Sequence, residues 1–165
     1  MQCQEGEIMA KVLNYGMVGG GPDAFIGDAH RRAISLDESA RLVAGVFSRN
    51  AEKSKKMGEV LHIEEERCYK DYETMALEEA KREDGIDFVV VVTPNASHYE
   101  ICKAFLNAGI HVVCDKPVTT TYEKAVELQK LAEEKSLLFM VTYTYMGHVT
   151  AKYARDLIAS GAIGD

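Results

Sequence analysis

Two stretches limit the fold more than anything else in the chain, Phe88-Val89-Val90-Val91-Val92 and Ile110-His111-Val112-Val113-Cys114. Both are nearly continuous apolar runs rich in β-branched residues. Alternate side chains of a strand point to opposite faces, so a run without polar alternation needs cover on both sides, as in a parallel sheet. Apolar runs of strand length fall at 11–18, 41–47, 67–69, 86–93, 110–115 and 138–143, with amphipathic segments between them.

The intervening segments carry helix signals. Ser97 with Glu100, and Thr120 with Glu123, have capping-box spacing and predict helices that start there. Ile101, Cys102, Phe105 and Leu106 then share one helical face, as do Ala125, Leu128, Leu131 and Ala132. Gly109 is expected to end the first of these helices in a left-handed cap. This alternation predicts an α/β fold with a doubly wound parallel sheet, its ligand crevice at the carboxyl ends of the strands.

At 165 residues the chain suits one domain of roughly 150 residues. We expect an N-terminal tail over 1–10, the sheet domain over 11–147 and a closing helix within 148–165. Hydrophobic residues make up 47%, enough for a buried core. The 26 acidic and 19 basic side chains give a net charge of −7, which argues against nucleic-acid partners. The longest strongly apolar run, Phe88 to Val92, is far short of the roughly 20 residues that cross a bilayer. The opening MQCQEGEIMA has neither the basic start nor the apolar stretch of a secretory signal, so no membrane partner and a cytoplasmic location are expected. Cys3, Cys68, Cys102 and Cys114 form no CxxC pair and are expected to be reduced thiols, two or three of them filling the core, with no metal site.

The segment Gly16-Met17-Val18-Gly19-Gly20-Gly21-Pro22-Asp23-Ala24-Phe25-Ile26-Gly27 follows a strand and opens a helix. Glycines there let backbone amides approach a pyrophosphate, and the positive end of the helix favours the anion. Gly19, Gly21 and Ala24 fit GxGxxA directly; Gly27 becomes the third position if three residues are inserted. The other reading is a glycine-rich turn with no ligand.

The second strand ends Val46-Phe47-Ser48-Arg49, without the acid that accepts hydrogen bonds from an NAD ribose. A hydroxyl beside a guanidinium can instead bind a 2′-phosphate, which favours NADP over NAD. Alternatively Arg49 is a solvated charge before the helix cap Asn50. Thr93-Pro94-Asn95-Ala96-Ser97-His98 leaves polar groups at the carboxyl edge, although His98 alone reads more readily as a partly exposed surface residue. Asp115-Lys116-Pro117 closes a strand at the same edge. A desolvated lysine there could donate to a substrate hydroxyl, and a plain Asp115–Lys116 salt bridge is the alternative.

The glycine loop, Gly27-Asp28-Ala29-His30, Thr93-Pro94-Asn95 with His98, Asp115-Lys116-Pro117 and the closing Gly161-Ala162-Ile163-Gly164-Asp165 together resemble the Gfo/Idh/MocA oxidoreductases, the family of glucose-fructose oxidoreductase and inositol dehydrogenase. The resemblance runs from about residue 11 to the end. It implies a Rossmann domain binding NADP or NAD, with Gly19, Gly20, Gly21, Ala24, Phe25, Ile26, Ser48, Arg49, Thr93, Pro94, Asn95, His98, Asp115 and Lys116 toward the cofactor. Lys116 takes the family's catalytic lysine position, and Asp115 stands where the family usually has Glu. Tyr143, Thr144, Tyr145 and His148 fall toward the substrate side, although Tyr143 reads more readily as simple packing at the end of the sixth strand. The implied activity is hydride transfer to or from a hydroxyl carbon of a sugar, inositol or related polyol.

The family carries a second α+β domain holding a catalytic histidine and its acidic partner. The chain is therefore expected to be a fragment or short form, stopping where that domain begins and with little or no turnover of its own. The apolar surface left uncovered predicts a homo-oligomer. A non-catalytic dinucleotide-sensing or protein-interaction module is the rival reading. A methyltransferase binding S-adenosylmethionine is disfavoured, because such sites also tend to want an acid after the second strand and leave Asp115-Lys116-Pro117 without a purpose.

Overall fold

The computed structural model describes residues 11–22 and 24–164; the expected tail, Cys3 within it and Asp165 lie outside that range. Its centre is a five-stranded parallel sheet of β1 (Leu13–Gly19), β2 (Ala40–Val46), β3 (Phe88–Val92), β4 (His111–Asp115) and β5 (Phe139–Thr142), in the order β2-β1-β3-β4-β5. The period of two along β3 divides the core. Val89 and Val91 join one apolar cluster, and Val90 and Val92 join the other.

The first cluster lies under α3 (Tyr72–Glu79), α4 (His98–Asn107) and α5 (Tyr122–Glu134), which bury Met75, Phe105 and Leu128 against Val18, Ala44 and Val112. The second is built on Tyr15, Met17 and Phe47, with Ile26 and Ile34 from α1 (Phe25–Ile34) and Met57 from α2 (Ala51–Val60). Helices on both faces of a parallel sheet are the doubly wound arrangement expected from the sequence.

Several local expectations hold. Asn50 caps α2 by accepting from the Lys53 N–H at 3.0 Å, and Gly109 adopts φ 82 between α4 and β4. Cys102 and Cys114 are fully buried and Cys68 is half-buried; all three are free thiols.

Others are corrected. The run at 67–69 is a single parallel bridge, Gly45 to Cys68, preceded by a 3-10 turn over Glu65–Arg67. Charge explains this: Glu64, Glu65 and Glu66 precede Arg67, which turns inward to a buried ion pair with Glu79, so the segment lacks a second apolar face. Counting that bridge as a remnant strand beside β2 restores the six-strand order of the dinucleotide-binding fold. Ser97 holds the N-cap position of α4 as expected, but its side chain does not cap the helix; its hydroxyl bonds back to Thr93 Oγ1 at 2.9 Å and to the Pro94 carbonyl at 2.8 Å. The cap of α5 is Thr121 rather than Thr120. The last helix, α6 (Val149–Ala159), buries none of its residues.

Candidate functional site

The carboxyl ends of β1, β2 and β3 open into a cleft of about 550 Å³. Its floor is the turn from β1 into α1. Gly19 there has φ +96, a left-handed conformation that side chains rarely adopt, and a Cβ on it would lie 2.7 Å from the Val92 carbonyl oxygen. The choice left open between Ala24 and Gly27 is resolved by packing. Ala24 is the N-cap of α1, whereas a Cβ on Gly27 would come within 2.3 Å of Gly20 Cα. Gly27 therefore lets the helix sit against the loop, the task of the third fingerprint glycine. Arg31 reaches back from the next turn of α1, and its Nη1 donates to the Gly20 carbonyl at 3.0 Å. A backbone cradle that side chains would fill, at a helix N-terminus, fits the diphosphate of a dinucleotide.

The structure gathers Gly19, Gly20, Gly21, Ala24, Ser48, Arg49, Thr93 and Pro94 around this cleft. Ser48 also accepts from the Asn50 N–H at 3.2 Å, which ties its hydroxyl to the start of α2. Sequence reasoning missed Lys53, Lys70, Asp71 and Tyr72, which line the same space. Lys53 stands in the first turn of α2, one turn past Arg49, and that spacing could have revealed it. Lys70 to Tyr72 follow the remnant strand, whose carboxyl end had to face the same rim. Arg49, Lys53 and Lys70 bring three cations to the cleft of a chain with net charge −7, so local charge favours an anionic ligand even though the whole molecule does not. Asp71 is already committed: its side chain accepts from the Thr74 N–H at 2.7 Å, which holds the carboxyl below its ordinary range.

The remaining predicted residues lie outside the cleft lining. Phe25 and Asn95 are exposed and Ile26 packs toward the second core cluster. Lys116 is exposed in the turn after β4, and its bond to Pro117 is cis. Asp115 does not form the salt bridge with Lys116 considered above. It accepts from Thr142 Oγ1 at 3.1 Å and lies 3.9 Å from His30 Nε2, so the His30 and Asp115 motifs meet across α1 and β4. Burial pushes the His30 imidazole below its usual value, against the pull of Asp115.

His98 is not the partly exposed side chain expected. Only 1% of its surface is accessible, and its ring nitrogens face the Pro117 carbonyl at 2.9 Å and the Thr93 carbonyl at 2.7 Å. Nor is Tyr143 a packing residue. It is exposed, as are Thr144, Tyr145 and His148, and the last two form an edge-on ring pair.

The comparisons agree with this architecture. Residues 13–143 match the Gfo/Idh/MocA family, described as an oxidoreductase family with an NAD-binding Rossmann fold. An uncharacterized oxidoreductase of Bacillus subtilis, YfiI, is 45% identical over 96% of this chain and 40% of its own length. A scyllo-inositol 2-dehydrogenase (NADP(+)) of the same organism, IolW, is 36% identical over 54% of this chain and 25% of its own. The structure of an inositol dehydrogenase homolog from Azotobacter vinelandii, complexed with NADH and myo-inositol, superposes with a TM-score of 0.90 at 42% identity, covering 94% of this chain and 41% of that one. The chain thus spans about two fifths of YfiI and of the Azotobacter protein. By sequence and by fold, it belongs to the Gfo/Idh/MocA oxidoreductase family, through its NAD-binding Rossmann fold.

Proposed function

We propose that this chain is the dinucleotide-binding part of an oxidoreductase that moves hydride to or from a hydroxyl-bearing carbon of a sugar, inositol or related polyol. The observation that carries the reading is the cleft at the carboxyl ends of β1 to β3, where only glycine fits at Gly19 and Gly27 and three cations converge. A nicotinamide dinucleotide bound there supplies the hydride chemistry.

The chain's own residues bind and orient. Gly19 to Gly21 and the start of α1 take the diphosphate through backbone amides, and Arg31 fixes that turn from below. Ser48 and Arg49, with Lys53 one helical turn on, take the adenosine ribose and favour a 2′-phosphate, hence NADP. Thr93 and Pro94 form the inner wall. Lys116 is the residue for polarising a substrate hydroxyl, with Asp115 anchoring its strand end to Thr142 and His30. Tyr143, Tyr145 and His148 face the substrate side. The polyol class draws support from the myo-inositol in the Azotobacter homolog's structure and from the name of IolW. These relatives include one complexed with NADH and one named for NADP(+), so the NADP preference rests on Ser48 and Arg49.

Calorimetric titration with NADPH and NADH tests the proposal. Binding of either supports the dinucleotide site, and tighter binding of NADPH supports the role of Arg49. In Arg49→Asp the preference inverts, because a carboxylate repels the 2′-phosphate and accepts from the ribose hydroxyls. An unchanged ratio removes Arg49 from the site, and no binding of either nucleotide overturns the proposal.

A further inference from the structure

His98 is the most deeply buried ionisable ring among the described residues, and both of its nitrogens point at main-chain carbonyls, Thr93 at 2.7 Å and Pro117 at 2.9 Å. A carbonyl oxygen only accepts. A neutral imidazole carries one N–H and one lone pair, so one of the two contacts would set lone pair against lone pair in a buried place. Donation to both requires a proton on each nitrogen.

The two carbonyls belong to different loops. Thr93 lines the cleft and its hydroxyl is hydrogen-bonded to that of Ser97 at 2.9 Å, whereas Pro117 follows Lys116 directly. We infer that His98 is a positioning residue: as a doubly protonated ring it donates to both carbonyls at once and locks the loop walling the dinucleotide cleft to the loop carrying Lys116.

A buried cation needs a counter-charge. The titratable groups around His98 are Cys114 on β4, Cys102 on its own helix, and Asp115, whose charge acts on Cys114. Burial disfavours the charged ring, but Cys114 and the two carbonyls outweigh it and lift the imidazole to about 9. Cys102 and His98 draw the Cys114 thiol down against its burial, while Cys102 itself is pushed up. The clamp thus sets an imidazolium beside the Cys114 sulfur.

The inference rests on the proposed function only for its consequence on cofactor binding, so the experiment has two arms. Long-range proton–nitrogen correlation on the wild-type chain reads the His98 ring directly. We expect two N–H groups at neutral pH and deprotonation near pH 9, with the Thr93 and Pro117 carbonyl carbon signals moving at the same midpoint. A single N–H at neutral pH, or only one carbonyl following the ring, overturns the clamp. In the second arm NADPH and NADH affinity falls about tenfold as the ring deprotonates, the scale of losing a charge-assisted hydrogen bond. In His98→Gln affinity is low at every pH and the step disappears. A wild-type affinity that ignores the ring's titration overturns the positioning role. Absence of dinucleotide binding at any pH overturns the proposed function instead, and leaves the clamp to be decided by the first arm.

Discussion

The carboxyl edge of β1 to β3 and the outer edge at β5 and α6 are finished to different degrees. At the first, each wall is built by packing: Gly27 against Gly20, Arg31 on the Gly20 carbonyl, Asn50 capping α2 and Asp71 capping α3. At the second, apolar side chains stand in solvent, with Met140 on β5 at 55% exposure and Tyr145 and Val149 at 77% and 81%. An apolar surface of that kind marks a place of contact in most soluble proteins. The dinucleotide half of the proposed site is therefore complete within these residues, while the half around Lys116, Tyr145 and His148 is one-sided. Ligand affinity should depend on the first edge and be indifferent to the second.

Substitution at the glycine turn has the largest expected effect. Gly19→Ala forces a Cβ onto a φ of +96 and toward the Val92 carbonyl, and strain of about 1–3 kcal/mol at such positions weakens dinucleotide binding by roughly ten- to a hundredfold in calorimetry. Lys53→Glu replaces an attraction with a repulsion beside the adenosine ribose, and should weaken NADPH by about tenfold while sparing NADH. Asp71→Ala removes the cap of α3 at a cost of about 1 kcal/mol in denaturant unfolding. The sign of its pH dependence follows from the same bond. Because the folded state holds this carboxyl below its ordinary value of 3.8, its contribution is present above that pH and is lost as pH falls below it.

At the other edge the expected effects shrink. Tyr145→Ser combined with Val149→Ser should change stability by no more than about 0.5 kcal/mol per site, yet reduce binding of a hydrophobic dye and any self-association seen in gel filtration. Lys116→Met should leave NADPH affinity unchanged in this chain. A tenfold loss there would join the two edges into one binding surface and break the contrast.

The parts legible in the sequence are those whose cause is local. The valine run of β3, the glycine turn and the Asn50 cap follow from period, backbone freedom and side-chain reach, and all stand where the residues put them. What could not be read depends on distant partners. Arg67 leaves the strand position at 67–69 because Glu79 waits twelve residues on. His98 is buried because the carbonyls of Thr93 and Pro117 converge on it from two loops. Thr120 and Thr121 are alike in sequence, and only the side chain that meets the Lys124 N–H shows which one caps. Lys70 and Tyr72 follow the legible run at 67–69, but its place beside β2 depends on the distant Gly45–Cys68 bridge.

The most direct test of the contrast is to follow the backbone amide signals of the chain during titration with NADPH. The account predicts shifts concentrated at Gly19 to Gly21, Ser48, Arg49 and Thr93, with the signals of 138–163 unmoved. Shifts centred on 138–163, or none at the glycine turn, would contradict it.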